Sequence, residues 1–200
     1  MIRKTCYTFC MAKLYTSDLH YDHDHIIRFD GRPWFNVDEM REDLIQRWNN
    51  KVTDNDDVYI IGDFCWGTVA AWRKIVPRLK GRKHLTTGNH DPKLPKDVQA
   101  MFVEVVPYKE LKDGGRKVIL CHYPIIAYNH DSDPRVWMLS GHTHNTIETK
   151  AFREALQTYK KMCQEHNFNY QGQIINCFCG FSDYTAANLD ECIANTRARY

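Results

Sequence analysis

Five short polar motifs follow runs of β-forming residues along this chain of 200 residues, and they constrain its fold more than any other feature. A single Asn-His-Asp turn is weak evidence of function, since Gly and Asn suit turns and Asp caps helices. Several such motifs at successive strand ends indicate one shared site, because open α/β sheets place their sites at the carboxyl ends of strands. The motifs are Asp18-Leu19-His20, Gly62-Asp63, Gly88-Asn89-His90-Asp91, His122 in Leu120-Cys121-His122-Tyr123-Pro124, and Gly141-His142-Thr143-His144.

The first half of the chain alternates strand and helix patterns. Strands are predicted over 12–16, 57–61 and 83–87, and helices over 37–50 and 69–79. Asn36 and Glu39 form a capping-box pattern at the start of the first helix, and Pro77 is expected to end the second helix early. The charged segment 21–25 is predicted to be a loop. A βαβαβ order of this kind predicts a parallel or mixed sheet covered by helices.

The second half begins with a hairpin signal, Asp113-Gly114-Gly115-Arg116, between two strand patterns. Its strands are predicted over 108–112 and 117–121, followed by a strand over 136–139, an amphipathic helix over 149–166, a strand over 173–179 and a closing helix over 189–197. No internal repeat or linker interrupts the pattern. The whole chain, 1–200, is therefore expected to form one domain.

Composition and the amino terminus bound the possible partners. The net charge of +2 permits a nucleic-acid partner without implying one. The start, Met1 to Cys6, has no sustained apolar stretch behind it, so no signal peptide is expected, and no run approaches the roughly 18 apolar residues of a membrane span. These features favour a cytoplasmic protein without a membrane partner. The eight cysteines lack paired zinc-site spacing and are expected to be free thiols.

The residue types of the five motifs favour metal binding. Carboxylate oxygen, amide oxygen and imidazole nitrogen suit borderline divalent metals such as Mn, Fe(II), Ni or Zn, and the absence of Cys argues against a closed structural zinc site. The groups are too many for one ion, and they suit two ions that share a carboxylate, with one or two groups left for catalysis. They are Asp18, His20, Asp63, Asn89, His90, Asp91, His122, His142 and His144.

The same motifs, in the same order, resemble those of the metallophosphoesterase superfamily, also called calcineurin-like phosphoesterases. Further stretches are similar to a subgroup of small, mostly uncharacterised bacterial and phage phosphoesterases, so that the resemblance covers nearly the whole chain. These stretches are Asp18 to His23, Ile26 to Phe29, Arg32-Pro33-Trp34, Tyr59 to Phe64, Cys121 to Pro124, Ile175 to Tyr184 and Leu189-Asp190-Glu191.

The resemblance implies an α/β fold of the metallophosphoesterase sandwich type, with two facing mixed β-sheets flanked by helices. It implies a phosphoesterase that hydrolyses a phosphodiester or phosphomonoester with a hydroxide bridging two divalent metals, for which Mn is favoured and Fe, Ni or Zn are compatible. The substrate would be a small phosphorylated molecule, nucleotides included. Asp18, His20 and His144 would bind one metal, Asn89, His122 and His142 the other, and Asp63 both. His90 would be the catalytic imidazole, oriented by Asp91 or another nearby carboxylate.

Several assignments stay open at this level. His23 either contacts substrate phosphate or is an exposed loop residue, and Arg28 and Arg32 either bind phosphate or pair with nearby acids. Asp22 and His25 depart from the Gly and Asn expected there, and the 149–166 helix is longer than the subgroup needs. A basic cluster (Arg73, Lys74, Arg78, Lys80, Arg82 and Lys83) is either a solvated face or a nucleic-acid surface. A nuclease with the same metal centre and a non-catalytic metal-bound interaction module are the rival functions.

Overall fold

The computed structural model describes residues 11–199, so Cys6, Cys10 and the amino-terminal segment expected to lack a signal peptide lie outside the described residues. The strands are β1 (Lys13–Thr16), β2 (Asp57–Ile61), β3 (Arg82–Thr86), β4 (Glu104–Val106), β5 (Lys109–Asp113), β6 (Arg116–Leu120), β7 (Val136–Ser140) and β8 (Ile174–Asn176). The α-helices are α1 (Asp24–Phe29), α2 (Val37–Lys51), α3 (Val69–Ile75), α4 (Lys96–Gln99), α5 (Ile147–Glu165) and α6 (Leu189–Arg197), with 3₁₀ turns at Val76–Arg78 and Cys179–Ser182.

Within the described chain the strands form two four-stranded sheets, in the orders β1-β2-β3-β4 and β5-β6-β7-β8. The first sheet is entirely parallel. In the second, β5 and β6 form the predicted antiparallel hairpin, whereas β6, β7 and β8 are parallel. The predicted α/β class with two sheets flanked by helices is confirmed.

The alternation of side chains along each strand explains the layers. In β2, Val58 and Ile60 pack in the cluster that contains the apolar face of α2, including Leu44. Tyr59 and Ile61 face the other way and pack with residues of the second sheet such as Leu139. The strand β2 is therefore buried on both faces, as a parallel strand between two layers requires.

The outer layer of the second sheet is built from α5 and the loop before β7. Leu156 and Cys163 of α5 pack with Tyr170 and with Ile174 of β8. The helix α6 packs Leu189 and Ile193 against the core between the sheets and so closes one end of the sandwich. Among the helices of residues 11–199, none has the length and apolar character needed to cross a membrane.

The helix boundaries follow from local chemistry. The Asn36 side chain accepts the Glu39 N–H at 2.9 Å, as predicted, but the Glu39 carboxylate accepts the N–H of Phe35 rather than that of Asn36. Pro77 ends α3 in a 3₁₀ turn, as expected. The Asn36 cap is therefore right, and only the reciprocal half of the capping box is wrong.

Three predictions of local structure need correction. The segment 21–25 is not a loop throughout, because α1 begins at Asp24 and buries Ile26 and Ile27. The elements α4 and β4 were not predicted, since each is no longer than four residues and carries no clear periodicity. The last strand ends at Asn176, because the backbone of 177–179 turns to bond with Ser17 instead. The six cysteines that the structure describes are free thiols, as predicted.

Candidate metal centre

The five motifs meet where β1, β2, β3, β6 and β7 end. The two sheets are joined at this point, since the Ser17 N–H donates to the Cys177 carbonyl at 3.0 Å and the Cys177 N–H donates to that of Ser140 at 2.7 Å. The seven predicted ligands therefore lie close together although they come from both sheets. Two groups of donor atoms, each within 4.8 Å, have the arrangement of a metal site: Asp18, His20 and His144, and Asp18, Asp63 and His122.

The spacing of the donor atoms suits ligands of a shared ion. Nε2 of His20 lies 3.3 Å from Nε2 of His144 and 3.6 Å from Oδ2 of Asp63. Nε2 of His122 lies 3.4 Å from the same Asp63 oxygen, and Nε2 of His144 lies 3.6 Å from Oδ1 of Asp18. Two ligand atoms that each lie about 2.0–2.2 Å from one ion at a tetrahedral angle are separated by roughly 3.3–3.6 Å. The donor set and its spacing thus fit divalent cations.

The amide of Asn89 lies on the side of His122 and His142. Its Oδ1 is 2.9 Å from Nε2 of His122 and 3.0 Å from Nδ1 of His142. These three groups form the second predicted ligand set. Asp63 lies between this set and His20, as the predicted shared ligand should.

The backbone at the ligands is held in the left-handed region. Few residues other than Gly adopt it, and each such position costs of order 1–3 kcal/mol unless its surroundings enforce it. The φ values are 57° at Asp18, 50° at His20, 52° at Asp63, 71° at His142 and 45° at His144. Strain concentrated on five of the seven predicted ligands is typical of a functional site.

Two glycines of the motifs allow the carboxylates to approach the backbone. A Cβ atom on Gly88 would clash with the backbone nitrogen and carboxylate of Asp63, and one on Gly141 would clash with Asp18 and Ser17. The Gly in Gly-Asn-His-Asp and in Gly-His-x-His is therefore required by close packing around the carboxylates rather than by a turn.

Supporting hydrogen bonds fix the orientation of the imidazoles. Nδ1 of His144 bonds to Oδ1 of Asp30 at 2.8 Å, and Arg32 donates to Oδ2 of the same carboxylate from Nε at 3.0 Å and Nη2 at 2.9 Å. Nδ1 of His122 bonds to the carbonyl oxygen of Ile61 at 3.0 Å. In both histidines this leaves Nε2 directed at the carboxylates, which is how proteins orient imidazole ligands.

The protonation of the site follows from burial and these contacts. Burial lowers the pKa of His20 to about 2, so its imidazole is neutral and keeps a lone pair. Burial opposes ionisation of Asp63, but the hydrogen bond and charge of His122 outweigh it and lower the pKa of Asp63 to about 2. Burial likewise opposes the charge on His122, whereas Asp63 and Asp18 raise the pKa of His122 to about 9. The Asp63 carboxylate is therefore ionised. Its negative charge needs a compensating positive charge, which is either a proton on His122 or a bound cation.

The loop that carries His90 is held by the two carboxylates beside it. The His90 N–H donates to Oδ1 of Asp63 at 3.0 Å. Asp91 accepts the N–H groups of Asp63 at 3.0 Å, Phe64 at 2.9 Å and Gly88 at 2.8 Å. Both oxygens of Asp91 thus hold the backbone of this loop. That Asp91 or another nearby carboxylate orients the His90 ring stays a prediction. Burial raises the pKa of Asp91 to about 6.

A cavity of about 740 Å³ opens above the ligands. His20, Asp63, His142 and His144 form its floor, and His90 lies at its edge. The remaining lining comes from α1, from Trp66 and from the first turn of α5, so the unexpectedly long helix shapes the pocket through its amino-terminal end. These further lining residues are His23, His25, Ile26, Phe29, Trp66, Asn145, Thr146, Ile147 and Glu148.

His23 is part of this cavity, and its ring stacks on Trp66 with centroids 4.0 Å apart and planes 8° apart. Burial and the charge of His90 lower the pKa of His23 to about 4, so it is neutral near pH 7. His25 also lines the cavity, whereas Asp22 pairs with Arg41 and lies outside the lining. Of the two departures from the family pattern, only His25 therefore changes the pocket.

The two arginines predicted as phosphate ligands lie elsewhere. The Arg32 side chain is fully buried and donates to the carbonyl oxygens of Leu19 at 2.7 Å and Asp18 at 2.9 Å as well as to Asp30. Arg28 is exposed on α1 and does not belong to the lining. Of the two roles left open for Arg32, pairing with an acid is the one observed. Trp34 is also buried outside the cavity, with its N–H bonded to Asp43 at 2.8 Å.

The basic cluster lies away from the centre. Arg82 and Lys83 begin β3, whereas the ligand Asn89 follows its carboxyl end. Arg73 pairs with Asp97, Arg78 with Glu42 and Arg82 with Asp57. Three of the six residues are thus ion-paired, and none of the six lines the cavity above the predicted ligands, which favours the solvated face.

The chain is similar to known proteins in fold and in sequence. No family model matches the chain. The structure of AQ665, a protein of unknown function from Aquifex aeolicus, superposes with a TM-score of 0.61 at 22% identity over 91% of this chain and 97% of that one, which shows a common fold.

Two relatives are closer in sequence. The chain is 35% identical over 137 residues to the uncharacterized protein MJ1445 of Methanocaldococcus jannaschii, covering 67% of this chain and 70% of the relative. It is 30% identical over 160 residues to the gene 66 protein of Mycobacterium phage D29, covering 66% of this chain and 78% of the relative. The chain therefore belongs to the protein family of MJ1445 and the phage gene 66 protein.

Proposed function

We propose that this protein is a metal-dependent phosphoesterase of the metallophosphoesterase superfamily, with two divalent cations held at the junction of its sheets. One observation carries the proposal: a single carboxylate oxygen, Oδ2 of Asp63, lies 3.6 Å from Nε2 of His20 and 3.4 Å from Nε2 of His122. An oxygen placed between imidazoles of two ligand sets is what a shared ligand of two ions requires.

Asp63 suits the shared position better than Asp18. Both oxygens of Asp18 accept the His142 N–H, at 3.0 and 3.2 Å, and Oδ2 also accepts the Ser17 hydroxyl at 2.5 Å. The Oδ1 of Asp63 accepts the His90 N–H, which leaves Oδ2 facing imidazoles. We therefore assign Asp18, His20 and His144 to one cation, Asn89, His122 and His142 to the other, and Asp63 to both.

Hydrolysis of a phosphate ester requires charge neutralisation, because the ester is an anion and repels anionic nucleophiles. Two bound cations, of which Mn is favoured, would neutralise phosphoryl oxygens and lower the pKa of a water between them toward neutrality. The chain supplies the rest. His90, at the edge of the floor, is placed to donate a hydrogen bond to the phosphate or a proton to the leaving oxygen of a phosphodiester or phosphomonoester.

The rival functions gain less support. A nuclease is favoured if basic side chains border the metal centre, but none of the six residues of the basic cluster lines the cavity above the ligands. A non-catalytic module is favoured by lost ligands, yet all seven ligand types are retained and each of the seven has a donor atom within 3.6 Å of another ligand's donor atom.

The test is reconstitution with defined metals. The protein is stripped with a chelator, reloaded with Mn²⁺, Ni²⁺ or Zn²⁺, and assayed with 4-nitrophenyl phosphate, bis(4-nitrophenyl) phosphate and single-stranded DNA. We expect two metals per chain by elemental analysis and hydrolysis of a nitrophenyl ester that depends on them. Two bound metals without hydrolysis of any ester would sink the proposal, and cleavage of the DNA alone would favour the nuclease.

A further inference from the structure

The cavity above the metal centre combines a polar floor with an apolar wall. Phe29 and Ile26 of α1, Trp66 and Ile147 of α5 supply the wall. The ring of Phe29 meets that of the ligand His144 edge to face, with centroids 6.0 Å apart. An apolar surface therefore begins directly beside a predicted metal ligand.

The wall is unusual because three of its four side chains are exposed, whereas Ile26 is buried. Phe29 is 68% exposed, Ile147 75% and Trp66 46%, although each is large and apolar. Single exposed apolar residues are ordinary, but a group of them that rims a concave site marks a surface that binds something. These residues line the same cavity as the metal-ligating side chains. The molecule that they bind would therefore be the one that contacts the metals.

The charges of the lining limit what that molecule can be. Among residues 11–199 the cavity lining contains His side chains but neither Lys nor Arg, and its rim carries the carboxylate of Glu148. Arg32 is buried behind the ligands, and Arg28 lies outside. Recognition of several phosphates, as in a nucleoside triphosphate or a polynucleotide, relies on Lys and Arg near each one. Beyond the metals, this pocket offers no fixed positive charge for a second phosphate.

We infer that the substrate is an ester with a single phosphate that carries a flat, uncharged aromatic or heteroaromatic group, and that Phe29, Trp66 and Ile147 bind this group. The inference rests on the proposed function, whose substrate class it narrows. Aromatic side chains favour a flat ring over an aliphatic group of equal size, because stacked and edge-to-face ring pairs contribute beyond the area buried.

The wall can be tested by binding, independently of turnover. The Mn²⁺-loaded protein is titrated by calorimetry with methylphosphonate, cyclohexylphosphonate and phenylphosphonate, which share the anion and differ in the attached group. We expect phenylphosphonate to bind at least about tenfold more tightly than methylphosphonate and more tightly than cyclohexylphosphonate. Equal binding of the three, or no binding of any, overturns the inference, and a preference for cyclohexylphosphonate overturns its aromatic part.

Substitutions in the wall then test which of its residues bind the aromatic ring. Phe29→Ala and Ile147→Ala should each reduce the preference for phenylphosphonate to within about threefold while methylphosphonate binds as in the wild type. Phe35→Ala is the matched control, since Phe35 is 95% exposed and lies outside the cavity lining. Retained methylphosphonate binding also shows that a variant is folded. A preference that survives in both wall variants places the ring elsewhere and refutes the inference.

Turnover separates this inference from the proposed function. Methyl 4-nitrophenyl phosphate and phenyl 4-nitrophenyl phosphate have the same leaving group, so the chemical step differs little between them. We expect a higher kcat/KM for the phenyl ester, lost in Phe29→Ala. If phenylphosphonate binds tightly but neither ester is hydrolysed, the phosphoesterase function is refuted and the binding role of the wall is retained. If both esters are hydrolysed equally well, the binding role of the wall is refuted and the phosphoesterase function is retained.

Discussion

Nε2 of His20 and Nε2 of His144 face each other across 3.3 Å, although one follows the first strand of one sheet and the other follows the third strand of the second. Both rings are buried, and both residues have left-handed backbone conformations. A cation between them would stabilise two imidazole lone pairs this close. The junction of the two sheets thus has the spacing of a candidate metal site.

Asp63→Asn tests the shared ligand. Because one Asp63 oxygen lies beside imidazoles of both ligand sets, loss of its charge should lower metal content and abolish phosphoesterase activity together. Elemental analysis and a nitrophenyl ester assay measure the two. Asp22→Asn is the control, since Asp22 also has a left-handed φ, of 61°, but pairs with Arg41 outside the cavity. Full activity with two metals bound would refute the bridging assignment.

The sequence predicts the strand ends well because their chemistry is local. Each motif contains its predicted ligand, and three of the five also contain a glycine that allows close approach to a residue of another motif, as Gly88 does for Asp63. By contrast, the residues that orient the ligands lie far from them in the sequence. Asp30 bonds to His144 across 114 positions, and neither residue's neighbours signal the contact. Asp30 was missed for that reason, and the Arg beside it, Arg32, could equally well have been a phosphate ligand.

The same reasoning explains what the helix patterns missed. Only Ile26 and Ile27 of α1 are buried, too few for a periodicity to be seen among charged residues and histidines. The wall of the cavity depends on where α1 and the start of α5 meet the ligands, which is a property of the tertiary fold. The sequence patterns therefore do not predict that Phe29 and Ile147 line a cavity.

Arg32→Met tests whether this arginine supports the fold rather than the substrate. Its side chain is fully buried, and its loss would remove the arginine cation beside Asp30 and the donor to the Leu19 carbonyl, and would leave the Asp18 carbonyl with the weak thiol donor of Cys179. Removing one partner of a buried ion pair costs about 3–5 kcal/mol, so we expect a loss of that size in the free energy of unfolding. Arg28→Met, on the exposed side of α1, should change it by less than about 0.5 kcal/mol. An Arg32 variant of normal stability with a raised KM would restore the phosphate-binding role.

Asp56→Asn tests a pH-dependent contribution far from the metal centre. Burial would raise the pKa of Asp56, but hydrogen bonds from the Thr53 N–H and hydroxyl, both 2.8 Å, and from the Ala12 N–H, 3.0 Å, lower it. A carboxyl whose pKa is lower in the folded state stabilises above its unfolded pKa of about 3.9, and this contribution is lost as pH falls through the folded value.

The variant should therefore be about 1–3 kcal/mol less stable than the wild type at pH 7, with a difference that shrinks below about pH 3.9. Chemical denaturation across this range measures it. The neighbouring Asp54→Asn, at an exposed position, should show no such difference. A gap that stays constant with pH would mean that packing of the amide, rather than charge, is responsible.

His90→Ala separates catalysis from metal binding. The backbone N–H of His90 donates to Asp63, and a backbone bond survives the substitution, so metal content and folding should stay near those of the wild type. The ring lies at the edge of the cavity floor, 5.7 Å from that of His20 and 4.4 Å from that of Trp66 by centroids. If it acts on the phosphate, turnover should fall by roughly 10² to 10⁴-fold.

The leaving group then identifies the role of His90. If the ring protonates the leaving oxygen, the loss should be smaller for a nitrophenolate, a weak base, than for an alkoxide. His166→Ala is the control, because His166 is an exposed histidine outside the cavity lining, and turnover of this variant should change little. A metal missing from His90→Ala would make His90 a ligand. Unchanged turnover with both kinds of ester would mean that His90 is a structural residue of the Gly88-Asn89-His90-Asp91 turn. Asn89 would then be the residue through which this turn contributes to the reaction.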